Sequence, residues 1–212
     1  MKFWKKALLT IVALTVGTSA GITSVSAASS AVNSELVHKG ELTIGLEGTY
    51  SPYSYRKNNK LTGFEVDLGK AVAKKMGLKA NFVPTKWDSL IAGLGSGKFD
   101  VVMNNITQTP ERANQYNFST PYIKSRSALI VPTDSNIKSL KNIKGKKIIA
   151  GTGTNNANVV KKYKGNLTPN GDFASSLDMI KQGRAAGTVN SREAWYAYSK
   201  KNSTKGLKMI DV

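Results

Sequence analysis

Cysteine is absent from the chain, and histidine occurs once, at position 38. Without a thiol there is no disulfide framework, no thiolate metal site and no Cys/His pair. A single imidazole, in the region before the first expected strand, leaves no Ser/His/Asp arrangement to assemble. Acids are scarce as well, 13 Asp and Glu against 31 Lys and Arg. They are also scattered, which disfavours a paired-acid hydrolase or a calcium cage. Enzyme action is therefore not expected, no cofactor is implied, and His38 is expected to be a plain surface residue. Long apolar runs are missing too: the run from Ala7 to Val16 is too short to span a bilayer.

That run does have another use. Lys2, Lys5 and Lys6 precede it and the small residues Val25-Ser26-Ala27 follow, so residues 1–27 are expected to be a secretory signal peptide and 28–40 a leader. With no cysteine, a lipid on an N-terminal cysteine is not expected, and retention outside the cell would have to come by other means. The signal segment carries three lysines and no acid, so the formal charge of +18 becomes +15 over residues 28–212. Such an excess attracts polyanions such as wall polymers, acidic glycans or anionic lipid. Residues 28–128 hold 13 basic and 8 acidic side chains; residues 129–212 hold 15 and 5, which makes the second half the more basic. Lys144, Lys146 and Lys147, with Lys161, Lys162 and Lys164, form its densest clusters. No nucleic-acid recognition module is present, and nucleic acid is not an expected partner.

Short apolar runs alternate with helical periods, the pattern of an α/β fold. Strands are predicted over 42–46, 81–84 and 99–103. Phe64, Leu68, Ala71, Val72 and Met76 predict an amphipathic helix over 65–76, stopped by Gly77. Another helix begins near Asp88, weakened and ended by glycines at 93, 95 and 97. A second unit repeats the style, with strands over 127–131, 147–150, 187–189 and 207–212 and helices over 155–162, 174–181 and 193–199. Two lobes, 41–126 and 127–212, with a crevice outside the carboxyl ends of their strands, are the expected organisation.

The strand at 99–103 leads into "NNITQTPER", residues 104–112. Thr109-Pro110 is a helix-start signal, which sets Arg112 in a first helical turn beside the crevice. A guanidinium grips a carboxylate through two parallel hydrogen bonds, which lysine cannot do. "GTGTNNA", residues 151–157, has Asn156 where a nucleotide loop needs its third glycine, so phosphate cradling is not expected.

Beyond these local readings, the chain from about residue 40 resembles the extracytoplasmic solute-binding proteins of polar amino-acid ABC importers, cystine binders in particular. The phrases that carry the likeness are "LTIGLEGTYSPYSY", "KLTGFEVDLGKAVAKKMG", "WDSLIAGLGSGKFDVVMNNITQTPER", "YNFSTPYIKS" and "GTGTNNA". The resemblance implies a two-lobed, periplasmic-binding-protein-like (type II) fold that closes on a small polar amino acid and delivers it to a membrane permease. It further implies that Arg112 binds the ligand carboxylate, helped by Thr107 and the backbone near Asn105. Thr154 and Asn155 would approach from the second lobe, Tyr50 and Trp87 would wall the ligand, and Glu47 would lie near the pocket.

Two departures stand out. Where the family carries an aspartate for the ligand ammonium, this chain has Ser191 in "GRAAGTVNSREAW", which leaves Glu47 and Glu193 as candidate partners for that charge. Family members also continue past the strand at 207–212 and cross back to the first lobe, so the resemblance implies a fold truncated at the C-terminus. The chain is similar, too, to basic collagen- and mucus-adhering surface proteins of lactobacilli, which implies a second role: holding collagen, mucin or the anionic cell wall through lysine density. Secretion to the cell surface is expected under either role.

Overall fold

The computed structural model of the protein describes residues 34–212. The signal peptide expected over 1–27 and the leader up to residue 33 lie outside these residues. In chain order the first part comprises β1 (Glu41–Leu46), the hairpin β2 (Tyr55–Lys57) and β3 (Lys60–Thr62), helix α1 (Phe64–Lys75), β4 (Lys79–Pro84), α2 (Trp87–Gly95), β5 (Val101–Val102) and the single turn α3 (Pro110–Ala113). β1 is the middle strand of a three-stranded parallel sheet, between β4 and β5. Covered on both faces, it reads as a near-continuous apolar run, as central parallel strands do.

Helix α1 forms because its apolar residues recur at helical spacing and its charges match the helix dipole, Glu65 and Asp67 in the first turn and Lys74 and Lys75 in the last. Its start is tied to the preceding loop. The amides of Phe64 and Glu65 donate to the carbonyls of Pro52 and Tyr53, at 3.1 and 2.9 Å. Gly63 makes that approach possible, since it has φ +128° and a β-carbon there would lie 2.3 Å from the Tyr53 carbonyl oxygen. Buried Tyr53 and Glu65 are both fixed by this junction.

The second part contains β6 (Ser127–Pro132), a 3-10 turn (Leu140–Ile143), β7 (Lys147–Ala150), α4 (Asn155–Lys162), β8 (Asn166–Pro169), α5 (Phe173–Lys181), β9 (Gly187–Ser191), α6 (Arg192–Ser199) and β10 (Leu207–Asp211). Its five-stranded sheet has the order β10-β6-β9-β7-β8. β7 runs parallel to β8 and β9, whereas β6 is antiparallel to β9 and β10. Alternation along β6 separates two cores: Leu129 and Val131 pack toward α4 with Ile148, Val160 and Val189, while Ala128 and Ile130 pack toward α5 and α6 with Leu177, Ile180 and Trp195. No helix among the described residues is long and apolar enough to cross a membrane.

Most predicted elements form, with shifted ends; one differs in substance, and three strands appear that were not predicted. The strand expected over 99–103 shrinks to Val101–Val102, because buried Phe99 turns its ring onto Gly45 and Gly93. Helix α2 ends at Gly95, within the glycine cluster expected to stop it, and Gly93 inside it is where the Phe99 ring needs a residue without a side chain. The hairpin β2–β3 and strand β8 were not expected from the periodicity: β2 and β3 are three residues each and largely polar, and β8 ends in proline. His38 is exposed, and its carbonyl accepts from the Glu41 amide.

Replacing Gly63 with alanine should cost about 3 kcal/mol, since it combines a positive φ with a backbone clash. In a thermal melt that loss reads as a Tm lower by roughly 6–12 °C.

Candidate functional site

The carboxyl ends of β1, β4 and β5 face the edge of the second sheet at which β7 and β9 end and β6 begins. Between them lies a cavity of about 1100 Å³. Nine of the ten residues singled out from the sequence line it: Glu47, Tyr50, Trp87, Asn105, Thr107, Arg112, Thr154, Asn155 and Ser191. Residues distant in sequence are thus brought to one wall or the other by the strand ends that carry them.

Arg112 is the central cation. Thr109 caps α3, its hydroxyl accepting from the Arg112 amide at 3.3 Å, which fixes where the side chain leaves the backbone. The guanidinium then spans the gap: Nη1 donates to the Thr107 carbonyl and Nη2 to the Gly153 carbonyl of the opposite wall, each at 2.9 Å. The Trp87 ring lies beneath it, 5.5 Å from Cζ to centroid, and the Trp87 indole N–H donates to the Thr152 carbonyl at 2.9 Å. Burial pushes the Arg112 group below its ordinary range, with Glu111 opposing, yet an arginine stays charged at neutral pH.

A second set of contacts crosses the cleft through phenols. The Tyr50 hydroxyl donates to Asn190 Oδ1 or Ser191 Oγ, each 3.0 Å away, and burial pushes its pKa up to about 12. The Tyr53 hydroxyl and Ser125 Oγ donate to Glu193 Oε2 at 3.1 and 2.8 Å. Burial raises the Tyr53 phenol as well.

The structure also gives several of the expected residues partners within the protein. The Asn105 amide does not face the cleft: it donates to Glu65 Oε1 at 2.5 Å, inside the first part. Thr107 serves Arg112 through its carbonyl. The Thr154 hydroxyl donates to the Gly151 carbonyl and accepts from the Ala157 amide, so it caps α4, and Asn155 opens that helix. Ser191 caps α6 by accepting from the Ala194 amide. Glu193 is held by Tyr53 and Ser125 and is not among the lining residues. Glu47 does line the cavity, with Asn104 Nδ2 donating to its Oε2 at 2.7 Å. Burial raises the Glu47 carboxyl, the Asn104 bond lowers it and Asp88 raises it further.

Sequence reasoning passed over Glu65. It is fully buried, accepts from both the Asn105 amide and the Tyr122 hydroxyl through Oε1, and leaves Oε2 without a partner. Asn105 itself sits at φ +47°. One carboxyl therefore holds the strained turn of the "NNITQTPER" loop against the segment that leads to the second sheet. An acid at helix position two is ordinary by pattern, so nothing in the sequence marked it.

Known proteins share this architecture. The profile of the bacterial extracellular solute-binding proteins, family 3, matches residues 42–211. The chain belongs to that family. Among solute-binding relatives, the L-cystine-binding protein TcyA of Bacillus subtilis is 41% identical over 175 residues, covering 81% of this chain and 65% of TcyA. The chain thus spans about two thirds of the length of the curated relatives it matches first. Among solved structures, an ancestral arginine-binding protein bound to glutamine has TM-score 0.76 at 37% identity, covering 82% of this chain and 79% of that one. The unliganded, open L-cystine solute receptor of Neisseria gonorrhoeae is 42% identical over 81% of this chain and 73% of its own, with TM-score 0.53. This solute-binding chain therefore superposes better on a ligand-bound relative than on an open one of higher identity. The mixed α/β, two-sheet architecture expected from the sequence is the family's fold.

Burial raises the Glu65 carboxyl, opposed by the bonds from Tyr122 and Asn105 and aided by Glu47. The folded state thus binds a proton more tightly than the unfolded chain, and Glu65 makes stability fall as pH rises from the ordinary glutamate range through its raised value. Glu65→Gln abolishes this component. Its Tm relative to the parent should be higher at pH 8 than at pH 4.5; a pH-independent difference would contradict the assignment.

Proposed function

We propose that the chain is the binding component of an amino-acid ABC importer, taking a small polar, cystine-like amino acid between two lobes, 41–126 and 127–212, and presenting it to a membrane permease. One observation carries the reading: a half-buried guanidinium lies between the two walls of a cavity, with only main-chain carbonyls as acceptors. Neither acceptor is an anion, so a ligand carboxylate exchanges two neutral bonds for charge-assisted ones and keeps both walls together. In this reading Arg112 holds the carboxylate, with Thr107, Asn105, Thr154 and Asn155 around it. Tyr50 and Trp87 close the sides, and the Tyr50–Ser191 bond stands where other family members place a carboxylate. Glu47, which lines the cavity and accepts from Asn104 through Oε2, takes the α-ammonium instead.

The reading is tested by calorimetry across the polar amino acids and cystine. Two charge-assisted bonds at about 1.5–3 kcal/mol each predict that Arg112→Ala loses at least a hundredfold in affinity. Arg112→Lys, lacking the fork, should restore only part. Unchanged affinity in the alanine variant would overturn the reading.

A second role concerns the exterior and is favoured by the lysine distribution. Residues 135–171 contain eight lysines, all exposed, and no acid. The two clusters meet, since the Gly145 amide donates to the Lys164 carbonyl at 2.9 Å and Asn166 Nδ2 to the Gly145 carbonyl at 3.0 Å. They gather at the start of β7, whose other end leads to the cleft. After secretion under its signal peptide, the protein would be held by this corner on anionic wall, or on mucin or collagen. Exposed charges are screened beyond about 8 Å at physiological salt. Retention on wall preparations or mucin should therefore weaken steeply between 0.05 and about 0.5 M NaCl; retention indifferent to salt would exclude it.

A further inference from the structure

Glu193, a candidate partner for the ligand ammonium in the sequence, is used otherwise in the structure. It stands in the first turn of α6, where an acid is ordinarily explained by the helix dipole alone. Here its Oε2 is occupied. It accepts from Ser125 Oγ at 2.8 Å and from the Tyr53 hydroxyl at 3.1 Å, and both donors belong to the first part. Glu193 itself is not among the residues that line the cavity.

Both donors are anchored. Tyr53 is buried, its amide donates to the Tyr50 carbonyl and its carbonyl accepts from the Glu65 amide, each at 2.9 Å. Its ring lies 5.1 Å from that of Tyr50, centroid to centroid. Ser125 sits just before β6, on the segment that joins the two parts. The start of α6 holds this segment a second time, because the Arg192 amide donates to the Arg126 carbonyl at 2.9 Å. β6 and β9 pair from Ser127 and Ser191, so these bonds extend their ladder to the point where the chain crosses between the parts. Ser125 Oγ also lies 3.5 Å from Asn105 Nδ2, a long donor on the loop that leads to Arg112. The first turn of α6 thus touches the first part, the connecting segment and, through Ser125, the loop of the central cation.

From this arrangement we propose that Glu193 is a positioning residue. It sets the angle between the two parts by clamping the connecting segment at Ser125 and the first part at Tyr53, and the affinity of the cleft depends on it although it meets no ligand there. The effect on affinity rests on the amino-acid reading of the Arg112 site; the clamp does not.

The chain has no cysteine, so Lys74→Cys on α1 and Lys161→Cys on α4, both exposed positions, place one spin label on each part of the full-length protein. The distance between the labels should be narrowly distributed in this background. Glu193→Ala should broaden it and shift it. Trypsin cleavage after Lys124 and Arg126, which flank Ser125, should quicken about tenfold while cleavage at the lysines between 138 and 164 keeps its rate. Glu193→Gln keeps an acceptor oxygen for both hydroxyls and should restore distance and cleavage. Tyr53→Phe should act in the same direction as Glu193→Ala, and add less in that variant than in the parent. With L-cystine as probe, affinity should fall about tenfold in Glu193→Ala and return in Glu193→Gln. A glutamine variant as weak as the alanine one would mark a charge partner of the ligand and overturn the clamp, as would parent-like distances and cleavage in Glu193→Ala. Because labels and trypsin need no ligand, failure of the clamp and failure of the amino-acid reading are told apart.

Discussion

One guanidinium holds the two halves of this protein in register. Arg112 reaches the Thr107 carbonyl on its own wall and the Gly153 carbonyl on the other, stacked over Trp87, which bonds the neighbouring Thr152 carbonyl. Everything else in the cleft is arranged around that bridge: Thr109 fixes its origin, Glu65 fixes the turn before it, and the Tyr50 and Tyr53 phenols close the side away from it. A charge held by neutral acceptors remains unneutralised, and hydrogen bonds to an ionised acceptor are the stronger kind.

The scarcity of acids becomes intelligible against this background. Few carboxylates exist, and those near the cleft have defined places. Glu65 supports a loop, Glu193 receives Tyr53 and Ser125 from the first part, and Glu47 and Asp172 line the cavity. The lysines follow a different logic. Those between 138 and 164 collect at the end of the second sheet remote from the cleft, so the most basic surface and the cavity lie apart.

Much of this was legible in the sequence. β7 and α4 run over the predicted residues, because each is bounded by glycine or by a capping threonine and carries an unambiguous apolar period. The Thr109-Pro110 signal placed Arg112 in its helical turn, and the candidate site residues other than Glu193 line the cavity. What could not be read were directions. An amide such as that of Asn105 points wherever its partner lies, and the partner, Glu65, is 40 residues away on a helix whose pattern gives no hint of it. Ser191 was visible as a missing charge but not as a helix cap, and the short, polar β2–β3 pair lacks the alternation that betrays a strand.

The acceptors that α4's leading loop offers to Trp87 and Arg112 are main-chain oxygens of residues 152 and 153. Main-chain groups survive any change of side chain that keeps the loop's path. Gly153, at φ +71°, is the position where that path depends on residue type. Substitutions in the rest of this loop can therefore accumulate without breaking the bonds to Trp87 and Arg112, so the bridge between the two halves tolerates drift in the very segment that forms it.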